Sequence, residues 1–347
     1  MTADPPVPST VEVPRPVPPP PPPATGAAAV AQRGLRWLRR KLQEPQRPLV
    51  AVEVRPRSVG VVRLGREGGR LVLGAAASMD LPPGTLDLSM VQPNVVNPEA
   101  FRRTLRAALE RAGVLGGARV GLVLPDPVAR VALLPVAEVT GSGHAQQEEI
   151  IRFRLRKSLP FDIREAHLAF TLEGASATDS VPVVAVHRPV LEGYEEACRA
   201  VGLEPGLVEL SGLVLLGSGT GTGPSPSRDH LLINWEEGYV TILLARGEWP
   251  LLVRTLTGEP AAQPQQVARE VTNTVLYYRE RLGGPGLAGA TLRCAAMDPE
   301  QAAALLAGPL EARPDVVEPW RGLAVNLPAA LSQALAGAAA CLLGGRR

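Results

Sequence analysis

The sequence predicts an α/β protein of two lobes around a cleft. Apolar residues make up 45% of the chain and aromatics only 3%, so the cores are aliphatic. An apolar strand meander followed by helices begins near residue 50 and again near residue 231. A Gly-, Ser- and Pro-rich stretch, 217–229, separates the two runs. Two halves of this kind are what a duplicated, clefted fold produces. The chain has 347 residues, enough for two cores once a tail is set aside. The halves do not repeat visibly in sequence, so duplication is inferred from element order alone.

Residues 1–27 read as a Pro-rich disordered tail. The run Pro18 to Pro23 favours polyproline II and forbids helix and sheet ladders, which suits a spacer or a docking strip. Residues 28–47 read as a basic amphipathic helix and linker. Over 28–43, Ala31, Leu35, Leu38 and Leu42 fall at helical spacing among Arg33, Arg36, Arg39, Arg40 and Lys41. Such a helix docks on the body or touches anionic lipid.

The first lobe is expected over 48–216. Residues 49–54, 59–64 and 71–77 form a three-stranded antiparallel meander, turned at Arg55-Pro56-Arg57 and Arg66-Glu67-Gly68-Gly69. Asn97-Pro98 opens a helix, with Asn97 as N-cap and Pro98 at the first position. Strands at 119–124 and 128–135, a helix at 148–157, strands at 168–172 and 181–186 and a helix at 189–201 follow. After the linker 217–229, the second lobe spans 230–328. It holds a hairpin from 231–234 and 239–245, a strand at 250–256, a long helix at 265–282, a strand at 290–294 and a helix at 299–306. An Ala-rich helix within 329–347 closes the chain.

Net charge is +2, which gives no push toward nucleic acid. Cys198, Cys294 and Cys341 have no CxxC spacing, and His144, His167, His187 and His230 no metal-ligand spacing, so no metal site is expected. The Gly217-Ser-Gly219-Thr-Gly221 run precedes a strand and not a helix, so it is a linker and not a phosphate loop. The N-terminus lacks an apolar signal core, and 331–343 is too short for a bilayer span of about 20 residues, so a cytoplasmic protein is expected.

Four segments resemble the PilM family of type IV pilus assembly proteins, within the actin-like ATPase superfamily. They are Arg119 to Pro125 with Leu133-Leu-Pro135; Glu149-Ile-Ile-Arg-Phe153 through Leu159-Pro160-Phe161; Val183-Val-Ala-Val186 through Gly202-Leu203-Glu204-Pro205; and Val317-Glu318-Pro319 with 336–347. The resemblance covers roughly 48–347 and implies a two-lobed actin-like, ribonuclease-H-like fold. It implies an extra subdomain at about 117–170, a reduced second-lobe insertion, and a last helix that returns to the first lobe.

Members of that superfamily hold phosphate between two hairpin turns that each carry Asp-x-Gly. The glycines let backbone N–H groups approach the phosphates, and the acids reach magnesium. Here Glu53 stands at the first Asp, Arg55 at its glycine and Gly60 near the usual lysine, while Pro56 lacks an N–H. Asn234 replaces the second Asp and Glu236 its glycine, with Glu237 beside it. A carboxylate about 4 Å from a phosphate costs about 4 kcal/mol at an effective dielectric near 20. Glu236 and Glu237 read as solvated turn acids, and Arg55 with Arg57 as a degenerate remnant or a charge-based phosphate grip. The glycines usually found after the strand at 291–293 are replaced by Cys294-Ala295-Ala296.

The expectation is therefore a non-enzymatic, pseudo-ATPase scaffold, peripheral at the inner-membrane face. By resemblance it binds the N-terminal peptide of a PilN-like bitopic membrane protein near Arg154, Leu159, Pro160 and Phe161. The alternative is an active Mg-ATP-binding ATPase with unorthodox phosphate loops.

Overall fold

The computed structural model describes residues 48–114, 116–141, 143–172, 180–217, 228–247, 249–323 and 325–344. The expected tail 1–27, basic helix 28–47 and the linker's residues 218–227 lie outside the described residues. Three strands open the fold: β1 (Val50–Arg55), β2 (Ser58–Glu67) and β3 (Arg70–Asp80). Helix α1 (Pro98–Arg111) follows, and the Asn97 side chain accepts from the Ala100 N–H at 3.0 Å, as an N-cap should. Next come β4 (Ala118–Leu124), β5 (Ala129–Pro135), α2 (His144–Leu155), β6 (Ala166–Phe170), β7 (Ser180–His187), α3 (Arg188–Arg199), β8 (Leu203–Leu210) and the short α4 (Ser211–Gly217).

The second run repeats the pattern with β9 (Asp229–Glu236), β10 (Tyr239–Arg246), β11 (Trp249–Thr257), α5 (Glu259–Ala262), α6 (Pro264–Glu280), β12 (Leu287–Cys294), α7 (Pro299–Leu310) and β13 (Asp315–Val316). Helices α8 (Ala329–Ala334) and α9 (Ala336–Leu343) end the chain.

The two large sheets share one topology. Their strand orders are β3-β2-β1-β4-β8 and β11-β10-β9-β12-β13. In each, an antiparallel meander pairs its first strand in parallel with the strands that follow. The duplication inferred from element order is thus present in the hydrogen-bond ladders. A third sheet, β5-β7-β6, forms the added subdomain with α2.

Side-chain alternation along the central strands decides what faces what. Val50, Val52 and Val54 of β1 face α1 and α3, with Phe101, Leu105, Val190 and Tyr194. Ala51 faces the other way, into an aliphatic core shared with α4, α9 and the second sheet's Leu232 and Leu243. Leu231, Ile233 and Trp235 of β9 pack with Val267, Val271 and Ala302 of α6 and α7. The even-numbered residues of β9 point back toward the first lobe.

Three expectations need correction. The added subdomain does not span 117–170: β4 is a strand of the first large sheet, and β7 is the middle strand of the small one. Residues 203–210, for which the sequence predicts no strand, form β8. Pro205 and Gly206 disguise it, but β8 is an edge strand, where a missing N–H is tolerated. The closing helix is two helices, broken at Leu335 with φ −111° and ψ 8°. Leu335 enters the shared core, where a Cβ on Gly60 would lie 2.6 Å from its Cδ2. The absence of a side chain at Gly60 makes room for that contact.

Candidate functional site

The β1–β2 and β9–β10 hairpins face each other across the lobes. Their register makes Glu53 the counterpart of Asn234, Arg55 of Glu236, and Val123 on β4 of Arg293 on β12. Alternation puts Glu53, Asn234, Glu236 and Arg293 on the inter-lobe side, and all four are buried. Arg293 is 0% exposed.

These side chains satisfy one another. Arg293 donates from Nη2 to Glu53 Oε1 at 3.0 Å, from Nη1 to Asn234 Oδ1 at 3.1 Å and Glu236 Oε1, and from Nε to the Gln333 carbonyl at 2.9 Å. Arg55 forms a bidentate pair with Glu236 at 2.8 and 2.9 Å, and also donates to Ser58 Oγ at 3.1 Å. The second oxygen of Glu53 accepts the Ala338 N–H at 2.8 Å, at the start of α9. Asn234 donates to Asp126 at 2.9 Å and to Ser211 at 3.1 Å, while Asp126 accepts the Gly212 N–H at 2.7 Å. The cluster joins both sheets, α4, α8 and α9.

Burial sets the electrostatics. It pushes the Glu53 carboxyl above its ordinary 4.5, and Arg293 offsets only part of that. Burial also acts upward on Glu236, but Arg293 and Arg55 overcome it and hold that carboxyl at about 2. Burial raises Asp126 against its hydrogen bonds from Gly212, Thr241 and Asn234. Arg293 itself is pushed down by burial and held more firmly charged by Glu236 and Glu53.

The sequence reading is corrected here. Glu236 is no solvated turn acid but 1% exposed and doubly ion-paired. Glu237 is half-exposed and pairs with Arg57 at 3.1 Å. Arg55 and Arg57 are therefore not a free phosphate grip; each already has a carboxylate. Arg293, Asp126 and Gln333 were missed. A signal for Arg293 existed in the alternation of β12, where Ala290, Leu292 and Cys294 pack inward and an arginine interrupts the apolar run.

None of the four expected partner-binding residues lines the groove described below. Arg154 is exposed and pairs with Glu138 at 3.3 Å. Phe161 stacks on His187, with ring centroids 4.7 Å apart, and Leu159 packs into the small subdomain's core. Pro160 is exposed. The sequence pattern marked a real loop, but tertiary packing uses its apolar side chains internally. His187, at the end of the middle strand β7 and buried, lies 2.7 Å from the Val91 carbonyl and 3.0 Å from Glu165, so both ring nitrogens are satisfied.

A groove of about 730 Å³ lies instead outside the charged cluster. Leu86, Leu88 and Met90 line it from the first lobe, Val131 from the added subdomain, and Val253 and Thr255 from β11. Arg57, Asp87, Arg130 and Glu237 supply charges of both signs. Among the described residues, no group of three or more His, Cys, Asp or Glu could hold a metal ion. No described helix is long and apolar enough to cross a membrane.

No protein-family model and no curated protein sequence matches this chain. Solved structures do. A chain of the PilM-PilN type IV pilus biogenesis complex is 21% identical, with a TM-score of 0.68 over 86% of this chain and 98% of that one. A Bacteroides thetaiotaomicron protein with actin-like ATPase fold and unknown function is 9% identical, with a TM-score of 0.49 over 79% and 92%. The cytoplasmic domain of EpsL, an inner membrane component of the Vibrio cholerae type II secretion system, is 10% identical, with a TM-score of 0.47 over 83% and 93%. The chain shares its two-lobed fold with that chain of the PilM-PilN complex.

Proposed function

We propose, from a fold shared with a chain of the PilM-PilN complex and a cleft closed by its own charges, that this protein is a non-catalytic scaffold of a type IV pilus or related envelope assembly machine. Its partner is the N-terminal peptide of a PilN-like bitopic membrane protein, and its place is the cytoplasmic face of the inner membrane. The observation that carries the non-catalytic reading is Arg293. It fills the space between the two hairpins where a triphosphate would sit, and its charge is spent on Glu53 and Glu236. A nucleotide entering there would have to break buried ion pairs and then face two carboxylates, each unfavourable to it by about 4 kcal/mol at about 4 Å and an effective dielectric near 20.

The peptide site we favour is the groove of about 730 Å³ where the first lobe, the added subdomain and β11 of the second lobe meet, with Leu86, Leu88, Met90, Val131 and Val253 among its apolar lining. A groove of this size takes a few extended residues, and its mixed rim charges suit an apolar peptide of low net charge.

Calorimetric titration tests both halves. With Mg-ATP, no heat of binding is expected; saturable binding together with release of inorganic phosphate would establish the active-ATPase alternative. With a synthetic N-terminal peptide of the cognate membrane partner, binding is expected in the native chain. Val131→Glu should weaken it at least about tenfold, or about 1.4 kcal/mol. Arg154→Ala should leave it unchanged. Equal affinity in the native chain and Val131→Glu would place the peptide elsewhere.

A further inference from the structure

We propose that Glu53 stands in for a phosphate: seated on the backbone of α9 and paired with Arg293, it acts with Arg55–Glu236 as an internal clasp that holds the two lobes in one closed state without any ligand. The inference rests on the non-catalytic reading of the cleft and adds what replaces the nucleotide as the bond between lobes.

The geometry carries it. Anions suit helix N-termini because the first N–H groups lack intrahelical partners. At α9 that anion belongs to the protein, since Glu53 Oε2 accepts the Ala338 N–H at 2.8 Å. A Cβ on Gly337 would lie 2.6 Å from Glu53 Oε1, so glycine there is what lets the carboxylate approach. Glu53 is 240 residues from Arg293, and Arg55 is 181 residues from Glu236. Each lobe contributes one partner to each pair, with the signs reversed between the pairs. Arg57–Glu237 repeats the link at the exposed hairpin tips. Opening the lobes would separate all of these charges at once, the Glu53–Arg293 link fully buried and the Arg55–Glu236 link largely so. At low effective dielectric each ångström of separation costs more Coulomb energy than it would in water, so a small opening loses attraction before water can solvate the separated charges.

The experiment uses the full chain with spin labels at Asp87→Cys and Ala262→Cys, two exposed positions on opposite sides of the groove. The native cysteines Cys198, Cys294 and Cys341 are buried. A single narrow inter-label distance, unchanged by Mg-ATP, is expected. It should broaden when Arg55→Ala is added, because Glu236 then loses its partner on the first lobe. A broad native distribution, or one indifferent to Arg55→Ala, overturns the clasp. Nucleotide binding with an unchanged narrow distance overturns the non-catalytic reading and leaves the clasp standing.

A second measurement addresses the phosphate role of Glu53 itself. Glu53→Ala should lower the melting temperature by several degrees. Sodium formate, an anion the size of the deleted carboxylate, should restore part of the loss beyond sodium chloride of equal ionic strength. Equal melting temperatures in the two salts, with the native chain as control, overturn that role. If Glu53→Ala does not fold, the same salt comparison is made on Glu53→Gln refolded from urea, where formate should raise the refolded yield.

Discussion

Removing the Arg293 side chain would leave Glu53 and Glu236 buried without their shared cation. Breaking one partner of a buried ion pair costs about 3–5 kcal/mol, whereas replacing the charged group by apolar residues of similar volume is often neutral. Arg293→Met should therefore destabilise by about 3–5 kcal/mol in urea unfolding, and adding Glu53→Leu should recover part of that loss. The two carboxylates also have opposite pH signatures. Glu53 titrates above its ordinary 4.5, so the folded state holds the extra proton there, and stability falls as pH rises through that raised value. Glu236 titrates at about 2, so the unfolded state holds the extra proton between about 2 and 4.5, and stability is lost as pH falls through that window. Glu53's contribution to the melting temperature should therefore grow as pH falls toward its ordinary 4.5, and Glu236's should be lost as pH falls below that value. Glu53→Gln should flatten the first trend and Glu236→Gln the second. A profile unaltered by either change would remove these groups from the linkage.

Helix α9 shows how an element is shaped by what it must touch. Its start is small, Ala336-Gly337-Ala338, because the Glu53 carboxylate lies against it. Its separation from α8 frees the Gln333 carbonyl for Arg293, while the Gln333 side chain bonds Cys294 N–H at 3.2 Å and the Val317 carbonyl at 2.7 Å. Gly337→Ala should therefore cost stability chiefly by displacing Glu53, and its penalty should shrink when measured in the Glu53→Ala background. Additive penalties in that double-mutant cycle would argue against contact between the two. At α1 the reasoning is purely local. Asn97→Ala removes an N-cap acceptor and should cost about 1 kcal/mol in any background. The sequence made that cap legible, since Asn97-Pro98-Glu99 is a local signal. The break at Leu335 was not legible, because nothing within the Ala-rich run requires it.

Across the whole molecule, the shared core is what joins the lobes. It holds Ala51, Val62 and Val123 of the first sheet, Leu232 and Leu243 of the second, and most of α9. Residues of both sheets pack on the same helix, so neither lobe can expose that face alone without losing apolar burial of about 25 cal/mol per Å². Thermal unfolding of the chain should accordingly be one transition. Tryptophan fluorescence, which includes Trp235 and Trp249 of the second lobe, and far-ultraviolet circular dichroism should give coincident curves. Two separated transitions would mean that the lobes unfold independently despite the shared core.

The sequence by itself determined the strand meanders, their turns, the order that betrays duplication, and the presence of Arg55 and Glu236 in place of glycine in the two hairpins. These are local properties, written in alternation, turn residues and caps within a few positions of one another. Only the tertiary structure decided that Glu53 meets Arg293 and Arg55 meets Glu236, that Leu159 and Phe161 pack against neighbours in the small subdomain, and that a groove opens outside the charged cluster. A strand's alternation says which side chains share a face; it says nothing of which charges, 240 residues apart, that face will meet when two sheets dock.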